Sequence, residues 1–272
     1  MNMRRILVTG AAGTIGRVLR EQMRGRHELL RLGDIAAQAP ARDASEDVVA
    51  LDIRSLDSLR AAMRGIDCVV HLAGVPQEAD WPTVMALNID GAFNTFEAAR
   101  LEGIKRVVFA SSNHAIGFHP SSQTLDDSAA PRPDTRYGAS KVFGEALGSL
   151  YADKHGLSVA SLRIGTFRTP DRPTQARHLS TWISHRDMVQ LVERCIAAPD
   201  FRYLVAYGVS ANRRSRWSNA HVDFLGYRPQ DDAERFADDL ARDGAPETAA
   251  DALFHGGSFC EIDQGPPAST TP

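Results

Sequence analysis

The sequence predicts an α/β fold wound on both faces of a parallel sheet. Three observations lead there. Short apolar runs alternate with helical segments through the first 165 or so residues, the first run ends in a glycine-rich turn, and polar candidate residues recur just after the runs. Such sheets bind ligands outside the carboxyl ends of their strands, where the strand order reverses.

The elements follow in order. Arg5–Thr9 is a buried strand, and Ile15, Val18, Leu19 and Met23 recur at helical spacing from Thr14 to Arg24. Glu28–Leu32 and Asp47–Leu51 are strands, Leu56–Met63 a helix, Cys68–Ala73 a strand and Trp81–Leu101 a long helix. Arg106–Ser111 is a strand, Tyr137–His155 a helix and Ser158–Ile164 a strand. Beyond Gly165 the alternation loosens, with a helix at Asp187–Ala197, a strand at Tyr203–Tyr207 and a short helix at Asn219–Leu225. Asp231–Arg242 reads as an acidic amphipathic helix with a solvated face. The expected division is a nucleotide-binding core over 1–165, an interleaved substrate-binding region over 166–262, and a disordered Pro/Ser/Thr-rich tail over 263–272.

Composition narrows the function classes. The 272 residues are 43% hydrophobic and 24% charged, which suits one large domain. A net charge of −3 offers no basic field for nucleic acid or anionic lipid. No stretch approaches the roughly 20 apolar residues of a membrane span. The run Ile6-Leu7-Val8 meets Gly10 at once, too soon for a signal peptide. Cys68, Cys195 and Cys260 are odd in number and far apart, so a cytoplasmic setting is expected and no zinc site is.

Gly10-Ala-Ala-Gly13-Thr14-Ile15-Gly16 lies between the first strand and first helix. Gly10 permits the tight turn and Gly13 lets the backbone approach a pyrophosphate at the helix start, as in a Rossmann-type unit. Asp34 follows 18 residues beyond Gly16, where a carboxylate accepts hydrogen bonds from the adenosine ribose and repels a 2′-phosphate. NAD is therefore expected over NADP. Asp52-Ile53 holds the adenine or, equally, Asp52 caps a helix. Leu72-Ala73-Gly74 lets the cofactor pass closely, and Asn88 is either a contact or a solvated helix residue.

Tyr137 and Lys141 share one helix face, where an ammonium lowers a phenol's pKa from about 10 and readies it as a base. Ser111 and Ser112 supply a hydroxyl that orients a substrate oxygen, or merely cap a turn. No paired metal-ligand spacing appears.

With these residues the chain resembles the extended short-chain dehydrogenase/reductases over about Arg5 to Phe259, which implies NAD and a Ser112–Tyr137–Lys141 mechanism. The segments 109–117, 179–185 and 255–259 are similar to those of the uronate dehydrogenases, which oxidise C1 of glucuronate or galacturonate to an aldarolactone. The resemblance implies a free hexuronate as substrate, contacts from Ser112, Asn113, His114, Tyr137 and Thr166, and a homo-oligomer. The short region after Gly165 agrees with a small free sugar. Arg177 is the candidate for the carboxylate, with a solvated loop arginine as its alternative beside Arg168 and Arg172. Phe259 closes over the ring or is ordinary core, and Asn113 and His114 touch sugar or shape the loop. Pro76 stands where these enzymes often carry a small hydroxyl residue, and the loop 167–177 is slightly longer than usual. A sugar epimerase or dehydratase retaining its NAD, and a non-catalytic dinucleotide sensor, are the alternative functions.

Overall fold

The structure is a computed structural model that describes residues 4–262; the expected disordered tail lies outside them. Strand β1 (Arg5–Thr9) leads through helix α1 (Thr14–Gln22) to β2 (Leu29–Asp34) and β3 (Glu46–Ala50). Helix α2 (Leu56–Met63) then returns the chain to β4 (Cys68–His71) beside β1. Helix α3 (Trp81–Val84) continues through a π-helical segment (Met85–Asp90) into α4 (Gly91–Leu101). There follow β5 (Arg106–Ser112), α5 (Arg136–His155), β6 (Ser158–Ile164), α6 (His178–Thr181), α7 (His185–Ala197) and β7 (Tyr203–Gly208). Short helices α8 (Ala237–Asp243) and α9 (Ala249–Leu253) come last.

Among the described residues the seven strands are all parallel, in the order β3-β2-β1-β4-β5-β6-β7. The order reverses between β1 and β4, so helices cannot fill the carboxyl end there and a crevice opens. This is the Rossmann-type doubly wound fold.

Strand alternation divides the core. Ile6, Val8, Val70, Val108 and Leu162 face one way, against Leu19 of α1, Met23 just after it, and Met188, Val192 and Cys195 of α7. Leu7, Val69, Val107 and Phe109 face the other, against Leu59 of α2, Phe96 of α4 and Leu147 and Tyr151 of α5. Burial on both faces explains why these strands are apolar runs rather than alternating ones.

Several boundaries depart from the sequence reading. Strand β2 begins at Leu29 and runs past the expected end at Leu32 to Asp34, because Gly33 and Asp34 pair with Val49 and Ala50. The Asp231–Arg242 helix divides into a 3-10 turn (Ala233–Phe236) and α8. Asp231 leaves it because its carboxylate accepts from Ser184 Oγ at 2.7 Å and pairs with Arg186 at 2.9 Å. That segment is not simply a solvated face, since Ala233 and Leu240 pack beside Trp182. Asn219–Leu225 is a 3-10 stretch from Ala220.

Burial holds three imidazoles neutral: His71 and His178 are pushed down to about 3 and His255 to about 4. The unfolded chain takes up these protons near pH 6.5, the folded chain only well below, so stability falls as pH drops through this window. Lowering the pH from 7 to 5 is expected to remove about 2 kcal/mol through fully buried His71 alone. Urea midpoints at the two pH values check this; His71→Asn should narrow their difference, and equal midpoints would contradict it.

Candidate active site

The crevice contains a cavity of about 900 Å³ running along the strand ends. Its first wall is the turn after β1. Gly13 caps α1 without a side chain, and Gly10, Gly13, Thr14, Ile15 and Gly16 all line the cavity. The backbone leaves no room for larger residues: a Cβ on Gly10, which has φ of 70°, would lie 2.7 Å from Ala73 N. On Gly16 it would lie 2.6 Å from Ala11 Cα. A close backbone approach beside a helix N-terminus suits a pyrophosphate.

Asp34 ends β2 on the same wall. Its Oδ2 accepts from the Ala12 N–H at 2.9 Å and its Oδ1 from the Ala36 N–H at 2.8 Å, so the carboxylate also braces the glycine turn. Asp52 and Ile53 line the cavity too. Asp52 is not the helix cap; Ser55 is, accepting from Ser58 N at 3.2 Å, while Asp52 pairs with Arg54 at 2.7 Å. That pair holds the Asp52 carboxyl below its ordinary range. Leu72, Ala73 and Gly74 form the floor.

Asn88 does not line the cavity. It is buried in the π-helical segment, accepts from Val75 N at 2.9 Å and donates to Ser140 Oγ at 3.0 Å. It therefore holds the loop after Gly74 against α5 rather than lying in solvent. A π turn at a functional site is a recurrent feature, and the 3.6-residue pattern gave no sign of it.

The reacting side chains meet above β4 and β5. Strand alternation sends Ser111 and Ser112 to opposite faces: Ser111 Oγ donates to Glu145 at 2.6 Å, while Ser112 faces the cavity and hydrogen-bonds Tyr137. Thr135 caps α5 by accepting from Gly138 N at 3.0 Å, and Tyr137 and Lys141 follow on its buried face. Lys141 Nζ donates to the Ala110 carbonyl at 2.9 Å and lies 5.4 Å from the centre of the Tyr137 ring.

The electrostatics differ from the expected lowering of the phenol. Burial pushes Tyr137 up to about 12, opposed by the Ser112 hydrogen bond, and pushes Lys141 down to about 8. Desolvation penalises each charged form more than the two groups help one another. A further positive charge in the cavity would favour the phenolate.

The sugar-side candidates divide. Asn113 and His114 line the cavity. Thr166 does not; its hydroxyl turns to Thr181 Oγ1 at 2.8 Å. Phe259 lies behind His114, the rings stacked at 3.9 Å. Arg177 is half-buried and donates to the His255 carbonyl, which also accepts from Asn113, so it is not a solvated loop arginine.

Four acidic or basic groups escaped the sequence reading. Glu78 accepts from the Tyr137 N–H at 2.9 Å, and Asp134 lies 2.6 Å from His114 Nδ1. Beneath Ser111, Glu145 forms a buried pair with Arg163 at 2.9 Å. Glu145 had a signal, standing four residues after Lys141 on one helix face. The others come from distant segments and had none.

Comparison with known proteins agrees with this geometry. The NAD dependent epimerase/dehydratase family matches residues 6–195. The uronate dehydrogenase of Pseudomonas putida is 41% identical over 94% of this chain and 95% of its own. That of Agrobacterium fabrum is 43% identical over 95% and 97%. A crystal structure of the Agrobacterium tumefaciens uronate dehydrogenase, a tyrosine-to-alanine mutant complexed with NAD, superposes with a TM-score of 0.91 at 41% identity, covering 96% and 98%.

Replacing Asp34 by Ser should weaken discrimination between NAD and NADP by about tenfold or more, since the ribose partner and the repulsion are both removed. The ratio of kcat/KM for the two dinucleotides measures it, and an unchanged ratio would contradict the placement.

Proposed function

The chain belongs to the NAD dependent epimerase/dehydratase family, and from that premise we propose that it oxidises a free hexuronate, D-glucuronate or D-galacturonate, at C1 to the aldarolactone. One observation carries this reading: the dinucleotide cradle and the Ser112–Tyr137–Lys141 group share one cavity in a chain of nearly the same length as the uronate dehydrogenases.

NAD would be held by the Gly10–Gly16 turn, Asp34 and Lys141, with Ile53 beside the adenine and Ala73 and Gly74 along its path. When bound it supplies the acceptor for the C1 hydride and a positive charge near Tyr137. Ser112 orients the C1 hydroxyl between itself and Tyr137, and Tyr137 removes its proton. Lys141 holds the nicotinamide ribose and stabilises the phenolate. Asn113 and His114 take sugar hydroxyls. Arg177, desolvated beside the shared His255 carbonyl, takes the carboxylate, with Phe259 and Thr166 shaping that end. In this reading residues 166–262 add to the sugar side begun by Ser112, Asn113 and His114, and residues 1–165 carry the nucleotide site.

Two finer readings complete it. A cytoplasmic setting is supported by free Cys68, Cys195 and Cys260. A homo-oligomer is supported by exposed Phe93 and Leu101 on α4 with Phe143 and Leu150 on α5. No helix among the described residues is long and apolar enough to cross a membrane.

Purified protein with NAD and either uronate should accumulate NADH in stoichiometric excess over enzyme, which an epimerase retaining its cofactor would not. Signal with a neutral aldose alone would overturn the carboxylate assignment. Tyr137→Phe should lower kcat by about 10²-fold or more with NAD affinity little changed; normal turnover would refute the base. Light scattering should give a multiple of the chain mass, reduced in a Phe93→Glu/Phe143→Glu variant, whereas a wild-type monomer would exclude self-association.

A further inference from the structure

His114 is held from three sides. Its Nδ1 lies 2.6 Å from Asp134 Oδ2, its ring stacks on Phe259 at 3.9 Å, and it meets the Tyr137 ring edge-on at 5.8 Å. The Asp134 side chain is fully buried. Its other oxygen accepts from Thr135 Oγ1 at 2.9 Å, and that hydroxyl oxygen accepts from Gly138 N and caps α5. One carboxylate thus touches both the sugar-side loop and the N-terminus of the catalytic helix.

An ionised carboxylate has no proton to give, so the hydrogen bond between Asp134 and His114 requires the proton on Nδ1. Burial disfavours the imidazolium, against the hydrogen bond and attraction of Asp134, and Arg177 repels it, so the ring is held below the ordinary histidine range. The remaining polar atom is Nε2, on a ring that lines the cavity.

Resting on the hexuronate reading, we propose that Asp134 is a positioning residue that locks His114 as the Nδ1–H tautomer, so that Nε2 accepts a hydrogen bond from a sugar ring hydroxyl. The site then recognises that hydroxyl as a donor, and a hexuronate analogue with the hydroxyl replaced by hydrogen binds poorly. The same carboxylate sets the distance between this acceptor and Tyr137 through the Thr135 cap.

Asp134→Asn tests the tautomer specifically. The amide oxygen keeps the Thr135 hydroxyl, which leaves the amide NH₂ facing Nδ1. His114 must then carry its proton on Nε2 and become a donor. In protein labelled with ¹⁵N-histidine, with His114→Gln identifying the signal, the sugar-free wild type should show Nδ1 protonated and Nε2 bare, and Asp134→Asn the reverse. The KM for hexuronate should rise about tenfold, as for loss of one hydrogen bond to a buried group, while the KM for NAD stays within about twofold.

A protonated Nε2 in the sugar-free wild type, or a reversed tautomer with unchanged hexuronate KM, would overturn the proposal. Should the variant not fold, the wild-type spectrum decides: saturation with hexuronate should move the Nε2 signal and leave Nδ1 protonated, and an unmoved Nε2 overturns it. The sugar-free spectrum does not depend on the substrate, so a wrong tautomer is distinguishable from failure of hexuronate oxidation itself.

Discussion

Tyr137 and Lys141 leave water when α5 packs across β5, and both charged forms become costly. Much of the surrounding structure answers that cost. The Ala110 carbonyl takes the ammonium, Ser112 takes the phenol, and Glu78 takes the backbone N–H of Tyr137. Below them Glu145 and Arg163 form a buried pair that also holds Ser111, fixing the end of β5 from beneath. Removing one partner of such a pair leaves an uncompensated buried charge, a loss of about 3–5 kcal/mol. The reacting groups are therefore set by polar contacts to rigid strands and to one long helix.

The same burial couples chemistry to cofactor. Burial pushes the phenol up, so Tyr137 is protonated at neutral pH, and pushes the amine down toward neutrality without reaching it. Bound NAD would supply a positive charge that favours the phenolate, so Tyr137 would be more readily deprotonated with the oxidant in place. The crevice that admits it arises from strand order, and the Asp34 carboxylate joins the two by bracing the glycine turn from the end of β2.

The strands were legible because two-sided burial writes them as apolar runs, and the glycine turn and the Tyr137–Lys141 pair were legible as local spacings. Other features required distant segments to meet. Asp134 is twenty residues from His114 and Glu78 fifty-nine from Tyr137, so neither contact leaves a local pattern. Asn88 is not the solvated helix residue its type allowed, because it is buried in the π-helical segment and bonded to Val75 and Ser140. Asp231 was drawn out of its helix by Ser184 and Arg186, and Gly33 and Asp34, turn-formers by type, remain in β2 because β3 pairs with them. In each case a tertiary contact overrode local propensity.

The central claim is that hydride leaves C1 of a hexuronate for NAD while Tyr137 takes the hydroxyl proton. Hexuronate carrying deuterium at C1 tests this most directly. The claim predicts NADH bearing that deuterium, a lactone free of it, and solvent deuterium absent from the NADH. Unlabelled NADH, or a sugar product that keeps its C1 deuterium, would contradict it.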